Sequence, residues 1–509
     1  MKKEIVINYT QREIRIAILE DNELVEFLIE REESRRTVGG IYIGRINAVI
    51  PGIQAAFVDI GQEKAAFLHV SDVATGALDP ELVDDEDFEI NTGRKRKDFP
   101  PIESLLKKGQ EIVVQIRKEA IGTKGPRVSS QISLPGRYAV LMPNLDHIGI
   151  SKKIENRRER NRLRNIIRKY RPKGSAVIVR TAGNGVEEQQ LRDDMKALET
   201  KWEEIAKKIE QASPPALVHE DVDITVFALR DLFTEDVSQI IVDNKQECDR
   251  LAAYLKSFAP HLASRVNFYS EKTPIFDYYE IEDEIEKTLE SKIWVRKGGY
   301  IVIEHTEALV SIDVNTGRFT GKKNQEDTIL ETNLIAAREI ARQLRLRDIG
   351  GIIVIDFIDM EREENRKKVY NEFRNALRKD RSRARVSQIS DLGLIEVSRK
   401  RVRPSLLHYY SHECPYCAGS GKILSIESMA MKIEHWMRRI GALKKVQGMQ
   451  FRVNPVLGIY MREEKSEFLR ELAGRYRMVV EIIDDPRLHR EDFEILSLDG
   501  KRNLKGEFV

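Results

Sequence analysis

The spacing of apolar and polar positions predicts a multidomain α/β protein. Short alternating or continuous apolar runs bounded by glycine and polar residues predict strands, and longer runs with a helical period predict helices. The length of 509 residues suggests roughly three to five domains. The predicted strands are Glu4–Ile7, Glu13–Ile18, Leu24–Glu30, Ile41–Ile43, Gln54–Asp59, Lys64–Leu68, Glu111–Gln115, Gly125–Ser129, Arg137–Met142, Ala176–Arg180, Val222–Phe227, Gln239–Asp243, Ala308–Ile312 and Gly351–Ile355. The predicted helices are Glu155–Arg171, Val186–Gln211, Glu326–Leu346 and Arg362–Asp380.

Two aspartates follow buried strands at the points where we expect those strands to end. Asp313 follows the run Ala308–Ile312, and Asp356 follows Gly351–Ile355. Two carboxylates on neighbouring strand ends make an oxygen-rich site suited to Mg²⁺ and to attack of water on a phosphodiester. The simpler alternative is that each aspartate caps the helix that follows it. The pair, with the amide of Asn315 nearby, favours the metal site.

Charge is distributed unevenly along a chain whose net charge is only +2. The segment 152–173 contains eleven Lys or Arg and two Glu, and the segment 367–403 is again mostly basic. Local basic surfaces on a near-neutral chain suggest a polyanion bound at defined places. The alternative for each run is a solvated helix face.

The segment 38–130 is rich in strands and punctuated by glycine, as expected of a five-stranded OB-fold barrel. Phe57 and Phe67 occupy equivalent places in two neighbouring strands, each after two alanines. Such aromatics stack on the bases of single-stranded nucleic acid, and Lys118, Lys124 and Arg127 would contact phosphates. The alternative is that both phenylalanines fill the barrel interior. The charged segment Asp79–Pro101 is predicted to be a mobile loop.

Cys414 and Cys417 form a glycine-flanked C-x-x-C turn, which is a common half of a zinc site. Four ligands are needed, and two completions are open: His408 and His412 in the same chain, or the cysteine pair of a second chain. A thioredoxin-like redox pair would need the motif at a helix start after a strand. The glycine-rich exit toward Gly421 disfavours that third arrangement.

Three cysteines in the whole chain exclude a disulfide framework and favour a reducing compartment. There is no secretory signal and no run of 18 apolar residues. We therefore expect a cytoplasmic protein without a membrane span.

Several longer motifs together resemble the ribonuclease E/G family of bacterial endoribonucleases, over nearly the whole chain. The resemblance implies a compact member without the long disordered tail of ribonuclease E. The motifs are the runs Gly39–Ile46, Gln54–Asp59, Thr306–Gly317, Ala341–Met360 and Cys414–Gly421.

The resemblance implies a definite domain order. The implied segments are 1–37 and 218–285 as the two parts of an RNase H-like subdomain, 38–130 as an OB-fold, 131–217 as a 5′-sensor subdomain, 286–411 as a DNase I-like catalytic subdomain, 412–422 as a zinc link, and 423–509 as a small α/β dimerisation domain.

The resemblance also implies residue roles. Asp313 and Asp356 would be Mg²⁺ ligands supported by Asn315. Apart from the resemblance, we expect Arg383, one of the neighbouring basic residues, to position the RNA backbone. The implied contacts with RNA in the OB-fold are Phe57, Phe67 and Lys124, and the phosphate contact of Lys118 is expected from its position alone. The implied pocket for a 5′-monophosphate consists of Arg180, Thr181, Gly136 and Val140. Cys414 and Cys417 would be half of a structural Zn²⁺ site shared between two chains.

We therefore expect a Mg²⁺-dependent endoribonuclease that hydrolyses single-stranded, A/U-rich RNA to 5′-phosphate and 3′-hydroxyl ends. Ribosomal RNA precursors and mRNA are the expected substrates, with stimulation by a 5′-monophosphate. We expect a homodimer held through zinc, and pairing of dimers is left open. The competing hypotheses are a non-catalytic RNA-binding scaffold, which has no use for the aspartate pair, and a DNA nuclease of related fold.

Overall fold

The structure is a computed structural model that describes residues 2–32, 37–73, 99–120, 125–221, 223–233, 236–258, 260–317, 325–382, 384–390, 392–401, 403–443 and 446–505. The chain divides into two compact units, Met1–Tyr409 and Tyr410–Val509. Most of the predicted loop Asp79–Pro101 lies outside the described residues.

Strands and helices alternate along both units, which confirms the predicted multidomain α/β class. The described strands are β1 Lys3–Tyr9, β2 Glu13–Glu20, β3 Glu23–Arg31, β4 Ile41–Ile50, β5 Ala55–Asp59, β6 Ala66–His69, β7 Glu111–Lys118, β8 Arg127–Ser129, β9 Leu134–Pro135, β10 Ala139–Pro143, β11 Ile148–Ile150, β12 Ser175–Val179, β13 Ala216–His219, β14 Val237–Val242, β15 Val266–Phe268, β16 Lys292–Trp294, β17 Tyr300–His305, β18 Leu309–Asn315, β19 Gly351–Asp356, β20 Ala384–Val386, β21 Leu394–Arg399, β22 Gly448–Val453, β23 Val479–Asp484 and β24 Phe493–Ser497.

The four predicted helices are present as α2, α3, α8 and α9. The described helices are α1 Ile102–Leu105, α2 Arg157–Tyr170, α3 Glu188–Gln211, α4 Ile224–Phe227, α5 Lys245–Phe258, α6 Ile275–Tyr278, α7 Ile281–Leu289, α8 Gln325–Leu346, α9 Glu363–Leu377, α10 Leu406–Tyr410, α11 Ile426–Leu443, α12 Pro455–Glu463 and α13 Ser466–Tyr476. Among the described residues, no helix is long and apolar enough to cross a membrane.

The predicted strand Val222–Phe227 is wrong where the structure describes it, because Ile224–Phe227 is helical. The Asp223 side chain accepts hydrogen bonds from the backbone N–H groups of Thr225 and Val226. This is an N-cap, and it starts a helix in a sequence whose β-branched residues alone favour a strand.

The first sheet joins the start of the chain to a distant segment. Its order is β15-β14-β1-β2-β3, and β1 pairs in parallel with β14. The buried core of this sheet includes Ile5, Ile16 and Ile240. The first strand of the chain therefore has a partner more than 200 residues later, since Lys3 pairs with Val237, whereas β2 and β3 pair locally.

The second sheet closes into the predicted five-stranded barrel. Strands β4, β5, β6, β8 and β7 follow one another, and β7 returns to pair with β4. Alternate residues point inward to a core that includes Ala56, Val58, Ala66 and Leu68. Strand β13 adds to β4 outside the closed barrel. A third sheet, β11-β12-β10-β9, is covered by α2 and α3 around a separate core.

The fourth sheet, β16-β17-β18-β19-β21-β20, has one covered and one open face. Strands β18 and β19 are parallel and are connected through α8, which is the predicted strand–helix–strand unit. Helices α8 and α9 bury the face that contains Ile301, Ile312 and Ile355. The second unit has its own three-stranded sheet, β23-β22-β24, and its own core.

Candidate active site

The two aspartates singled out in the sequence lie opposite each other on the open face of the fourth sheet. Asp313 and Asp356 are direct partners in the parallel pairing of β18 with β19. Asp356 is the last residue of β19, as predicted. Asp313 is not the last residue of its strand, because β18 continues to Asn315. That continuation places the amide on the same strand face as the carboxylate.

Neither aspartate is a helix cap. Helix α9 begins after Arg362, and the described part of α8 begins at Gln325. Both carboxylates are exposed, whereas Ile312, Val314 and Ile355 beside them are buried in the core. The alternation of the strands therefore holds the two carboxylates rigidly toward solvent.

The carboxylates line a shallow cleft of about 320 Å³ together with Asn315, Thr316 and Asp359. Burial raises the pKa of Asp356, and the negative charges of Asp313 and Asp359 raise it further. Like charges held this close are relieved by a bound cation. Among the described residues, no group of three or more His, Cys, Asp or Glu side chains could hold a metal alone. Two carboxylates fit Mg²⁺, which keeps several waters and shares phosphate oxygens.

Asn315 is fixed against the first carboxylate. Its side-chain amide donates a hydrogen bond to Asp313 Oδ2 at 2.6 Å. The turn that follows needs glycine at Gly317, where φ is +57° and a Cβ atom would lie 2.2 Å from the Gly298 carbonyl oxygen. The sequence Asp313–Gly317 therefore combines a carboxylate, its hydrogen-bond donor and the turn that ends the strand.

Sequence reasoning missed the residue that secures the loop after β19. Asn333 lies buried in α8, donates to the Ile358 carbonyl at 2.8 Å and accepts from the Ile358 N–H at 3.1 Å. One amide thus satisfies both backbone groups of a residue that lies between Asp356 and Asp359. An asparagine on the buried face of a predicted helix was the available signal, since buried amides need partners.

The barrel places four predicted contact residues in one row. Phe57 pairs with Phe67, Phe67 with Arg127, and Arg127 with Lys118, across β5, β6, β8 and β7. The two phenylalanines are partly exposed, and their ring centroids are 5.9 Å apart. They do not belong to the barrel core, so the alternative that they fill the interior is wrong.

The row also has features that the sequence did not predict. The His69 ring stacks beside Phe67 with centroids 6.5 Å apart and extends the aromatic surface. The Arg127 guanidinium donates two hydrogen bonds to the buried carboxylate of Asp72 at 2.9 and 2.8 Å. Lys124 and Arg383 lie outside the described residues.

The predicted sensor residues Arg180 and Gly136 are in contact. Arg180 Nη1 donates to the Gly136 carbonyl oxygen at 2.8 Å, and Nη2 donates to the Asp231 carboxylate. Burial alone would raise the pKa of Asp231, but the charges of Arg180 and Arg230 outweigh it and hold that pKa low. The ion pair with Asp231, which the sequence did not reveal, fixes the guanidinium at this edge of the third sheet.

The other two sensor residues lie in the same sheet region. The Thr181 hydroxyl is 2.9 Å from the Ser151 hydroxyl. Val140 on β10 pairs with Ile178 on β12, two residues before Arg180. Gly136 has no room for a side chain, because a Cβ atom would lie 2.7 Å from the Asp194 carboxylate. The structure therefore brings Arg180 and Gly136 into contact, and it places Thr181 in the turn after β12 and Val140 on the neighbouring strand β10.

The two cysteines form a turn in the second unit. Backbone N–H groups of Cys417 and Tyr416, followed by the Cys417 thiol, lower the pKa of Cys414. The Gly421 N–H donates to Cys417 Sγ at 3.3 Å. The donors directed at Cys414 favour its thiolate, which is the form that binds zinc. Helix α11 begins only at Ile426, so the motif does not occupy a helix start as a redox pair would.

Comparison with known proteins agrees with this architecture. The profile of the ribonuclease E/G family matches residues 133–402, and that of the RNase E/G thioredoxin-like domain matches residues 413–498. The chain is 36% identical to ribonuclease G of Escherichia coli (strain K12) over 500 residues, which is 98% of this chain and all of that protein.

Two further relatives extend the comparison. Ribonuclease G of Haemophilus influenzae is 36% identical over 494 residues, 97% of this chain and 99% of that protein. Ribonuclease E of the same species is 37% identical over 504 residues, 98% of this chain but 52% of that protein. The chain therefore belongs to the ribonuclease E/G family and is an endoribonuclease.

Proposed function

We propose that the enzyme hydrolyses single-stranded RNA with Mg²⁺ bound at Asp313 and Asp356, leaving 5′-phosphate and 3′-hydroxyl ends. The observation that carries this proposal is the direct pairing of the two aspartates on the open face of the sheet. Two rigid carboxylates that face solvent side by side suit a metal that also binds the scissile phosphate.

The residues of the site have distinct roles in this proposal. A bound Mg²⁺ would lower the pKa of its water and neutralise charge that develops on the phosphate. Asn315 holds Asp313 in one orientation, because its amide donates a hydrogen bond to Oδ2. Asp359 adds negative charge beside Asp356, which favours cation binding.

The row of Phe57, Phe67, Arg127 and Lys118 on the barrel supports a single-stranded substrate. Bases stack on Phe57 and Phe67 in a sequence-tolerant way, and Lys118 at the end of the row contacts phosphate. Lys124 is proposed to join it, and Arg383 to position the backbone near the carboxylates. A duplex cannot offer its base faces to such a row, so single-stranded, A/U-rich segments that pair weakly are the proposed targets.

Arg180 supports a role for the 5′ end of the RNA. We assign a 5′-monophosphate to the edge formed by Arg180, Thr181, Gly136 and Val140, where the guanidinium held by Asp231 and the Thr181 hydroxyl would bind a terminal phosphate. Ribosomal RNA precursors and mRNA are the proposed substrates, and processing of such transcripts implies a cytoplasmic enzyme.

The turn that contains Cys414 and Cys417 supports assembly of two chains into a homodimer. Cys414 and Cys417 supply two thiolates, and the four ligands of a structural zinc are then completed by the same pair from a second chain. The proposed protein is a homodimer with one Zn²⁺ for two chains, in which pairing of dimers is not assigned.

One cleavage assay tests both the metal dependence and the substrate class of the proposed function. Mg²⁺ should convert a 5′-monophosphorylated single-stranded RNA into fragments with 5′-phosphate ends, and EDTA should stop the reaction. The same oligonucleotide made with 2′-deoxyribose is the control, and it should be cut much more slowly. Full activity in EDTA would overturn the proposed metal site, and equal cleavage of the deoxy substrate would favour a DNA nuclease.

A further inference from the structure

Trp294, Tyr300 and Lys292 form a cluster of two aromatic rings and a cation at the β16 edge of the fourth sheet. Trp294 on β16 is 57% exposed, and its ring centroid lies 5.3 Å from that of Tyr300 on β17, with 62° between the planes. The ammonium of Lys292 lies 4.5 Å from the Trp294 ring centroid and 3.8 Å from the Tyr300 centroid. An exposed tryptophan next to a cation is a candidate contact for a ligand that is both flat and anionic.

The cluster lies on the same face of the sheet as the two carboxylates. Trp294 pairs with Tyr300, and Tyr300 pairs with Asn315. In the next row on this face, Lys292 pairs with Val302, and Val302 pairs with Asp313. With strands about 4.8 Å apart, two strand spacings place the Lys292 backbone roughly 10 Å from that of Asp313. The aromatic surface is therefore continuous with the proposed metal site.

The core does not account for these side chains. Ile293 and Ile301, which alternate with them along β16 and β17, point toward the apolar core under α8. Trp294, Tyr300 and Lys292 point the other way. Burial of apolar surface thus does not require a tryptophan at this position, where a smaller polar residue would leave the core unchanged.

We propose that Lys292, Trp294 and Tyr300 form a platform on which a base of the RNA stacks, a few nucleotides from the bond that is cut. This inference rests on the proposed function. Base stacking on Trp294 and Tyr300 needs no particular sequence, since every base has a π face. The Lys292 ammonium, already held against the rings, attracts the phosphate of the stacked nucleotide.

The occupant is assigned as RNA for two reasons. The cation in the cluster complements a polyanion, and the open sheet face runs directly from the cluster to the carboxylates that the substrate must reach. A strand bound at Asp313 spans roughly 10 Å with about three stacked nucleotides, at about 3.4 Å each. The platform would then hold the strand on the β17 side of the metal site, away from Asp356.

Binding measured without cleavage tests the platform. Full-length protein carrying Asp313→Asn binds a fluorescein-labelled, 5′-monophosphorylated single-stranded RNA, and affinity is read from anisotropy. Adding Trp294→Ala should weaken binding roughly 5- to 160-fold, the usual loss for one stacked base, and Trp294→Phe should restore most of it. Tyr278→Ala removes another exposed aromatic, 59% exposed on α6, and should leave affinity unchanged.

A second measurement locates the stacked base. A series of oligonucleotides, each with one abasic nucleotide, is titrated against the Asp313→Asn protein with and without the added Trp294→Ala substitution. When the abasic nucleotide is the one that stacks on the platform, Trp294→Ala should no longer weaken RNA binding, because the base that stacks is already missing. In the active protein, Trp294→Ala should raise KM more than it lowers kcat.

Two results would overturn the platform. One is an RNA affinity that neither Trp294→Ala nor Trp294→Phe changes. The other is a change in oligomeric state by sedimentation with RNA affinity unchanged, which would make the cluster an interface between copies. Neither result bears on the proposed function. That function is contradicted by a different result, cleavage of RNA by the Asp313→Asn protein.

Discussion

Asn333 and Ile358 are joined by two hydrogen bonds, one in each direction, between a side-chain amide and a peptide backbone. The amide lies on a buried face of α8, and Ile358 lies two residues after Asp356. Helix α8 connects the strands that contain Asp313 and Asp356. Through Asn333, the same helix also fixes the loop between Asp356 and Asp359. The candidate active site thus depends on a residue that never reaches the cleft.

Replacing Asn333 by Ala should lower both activity and stability. The backbone N–H and C=O of Ile358 lose their partners, which costs about 1–3 kcal/mol for buried groups, and the loop after Asp356 is released. We expect kcat to fall roughly 10-fold, with a small change in KM and a lower Tm. Asn161→Ala, on an exposed turn of α2, is the matched control. Unchanged kcat with a lowered Tm would show that Asn333 stabilises the fold without positioning the site.

Replacement of Phe57 or Phe67 should weaken RNA binding without destabilising the fold. Phe57→Ala and Phe67→Ala should each weaken single-stranded RNA binding by about 1–3 kcal/mol, because each removes one stacking surface. Both rings lie outside the barrel core, so Tm should change little. Titration of labelled RNA and thermal unfolding of the same samples separate the two effects. A fall in Tm with normal RNA affinity would contradict the proposed stacking.

Arg180→Ala should remove the preference for a 5′-monophosphate over a 5′-hydroxyl. Cleavage of 5′-hydroxyl RNA should change much less, because the carboxylates lie on the fourth sheet, whereas Arg180 follows β12 of the third sheet. The measurement is the ratio of kcat/KM values for the two substrates. Arg168→Ala, which removes an exposed arginine of the neighbouring helix α2, should preserve that ratio. If the unaltered enzyme cleaves both substrates equally, the sensor assignment has no basis.

Several features of the site could be read from the sequence, because they depend on local pattern. Apolar runs that end in Asp313 and Asp356 mark strands, and alternation determines which residues are exposed. The parallel pairing of those strands follows from the helix predicted between them.

Features that depend on register or on distant partners could not be read in this way. The row from Phe57 to Lys118 requires a strand irregularity between Ile116 and Lys118. The partner of Arg180 is Asp231, 51 residues away, and only the folded chain brings them together. At Ile224–Phe227, a single capping carboxylate outweighed the strand preference of four neighbouring residues.

Replacing Cys414 and Cys417 together by Ser should abolish zinc binding and dissociate the proposed dimer. Each chain contributes one C-x-x-C, so the unaltered protein should contain about half a zinc per chain, since a structural site takes four ligands. Metal analysis and light scattering on the same preparation test this. Cys248→Ser, at a buried position on α5, is the control. One zinc per chain in an active monomer would contradict a shared site.

The central claim is that Asp313 and Asp356 hold the catalytic metal, and the most direct measurement compares cleavage and RNA binding in Asp313→Asn and Asp356→Asn. Each variant should lose at least about 100-fold in cleavage rate in Mg²⁺, because several kcal/mol of charge stabilisation depends on the metal. RNA affinity should persist, since an amide adds no repulsion toward phosphate. Glu304→Gln alters another exposed carboxylate of the same sheet and should cleave normally. Near-normal turnover in either aspartate variant would contradict the account.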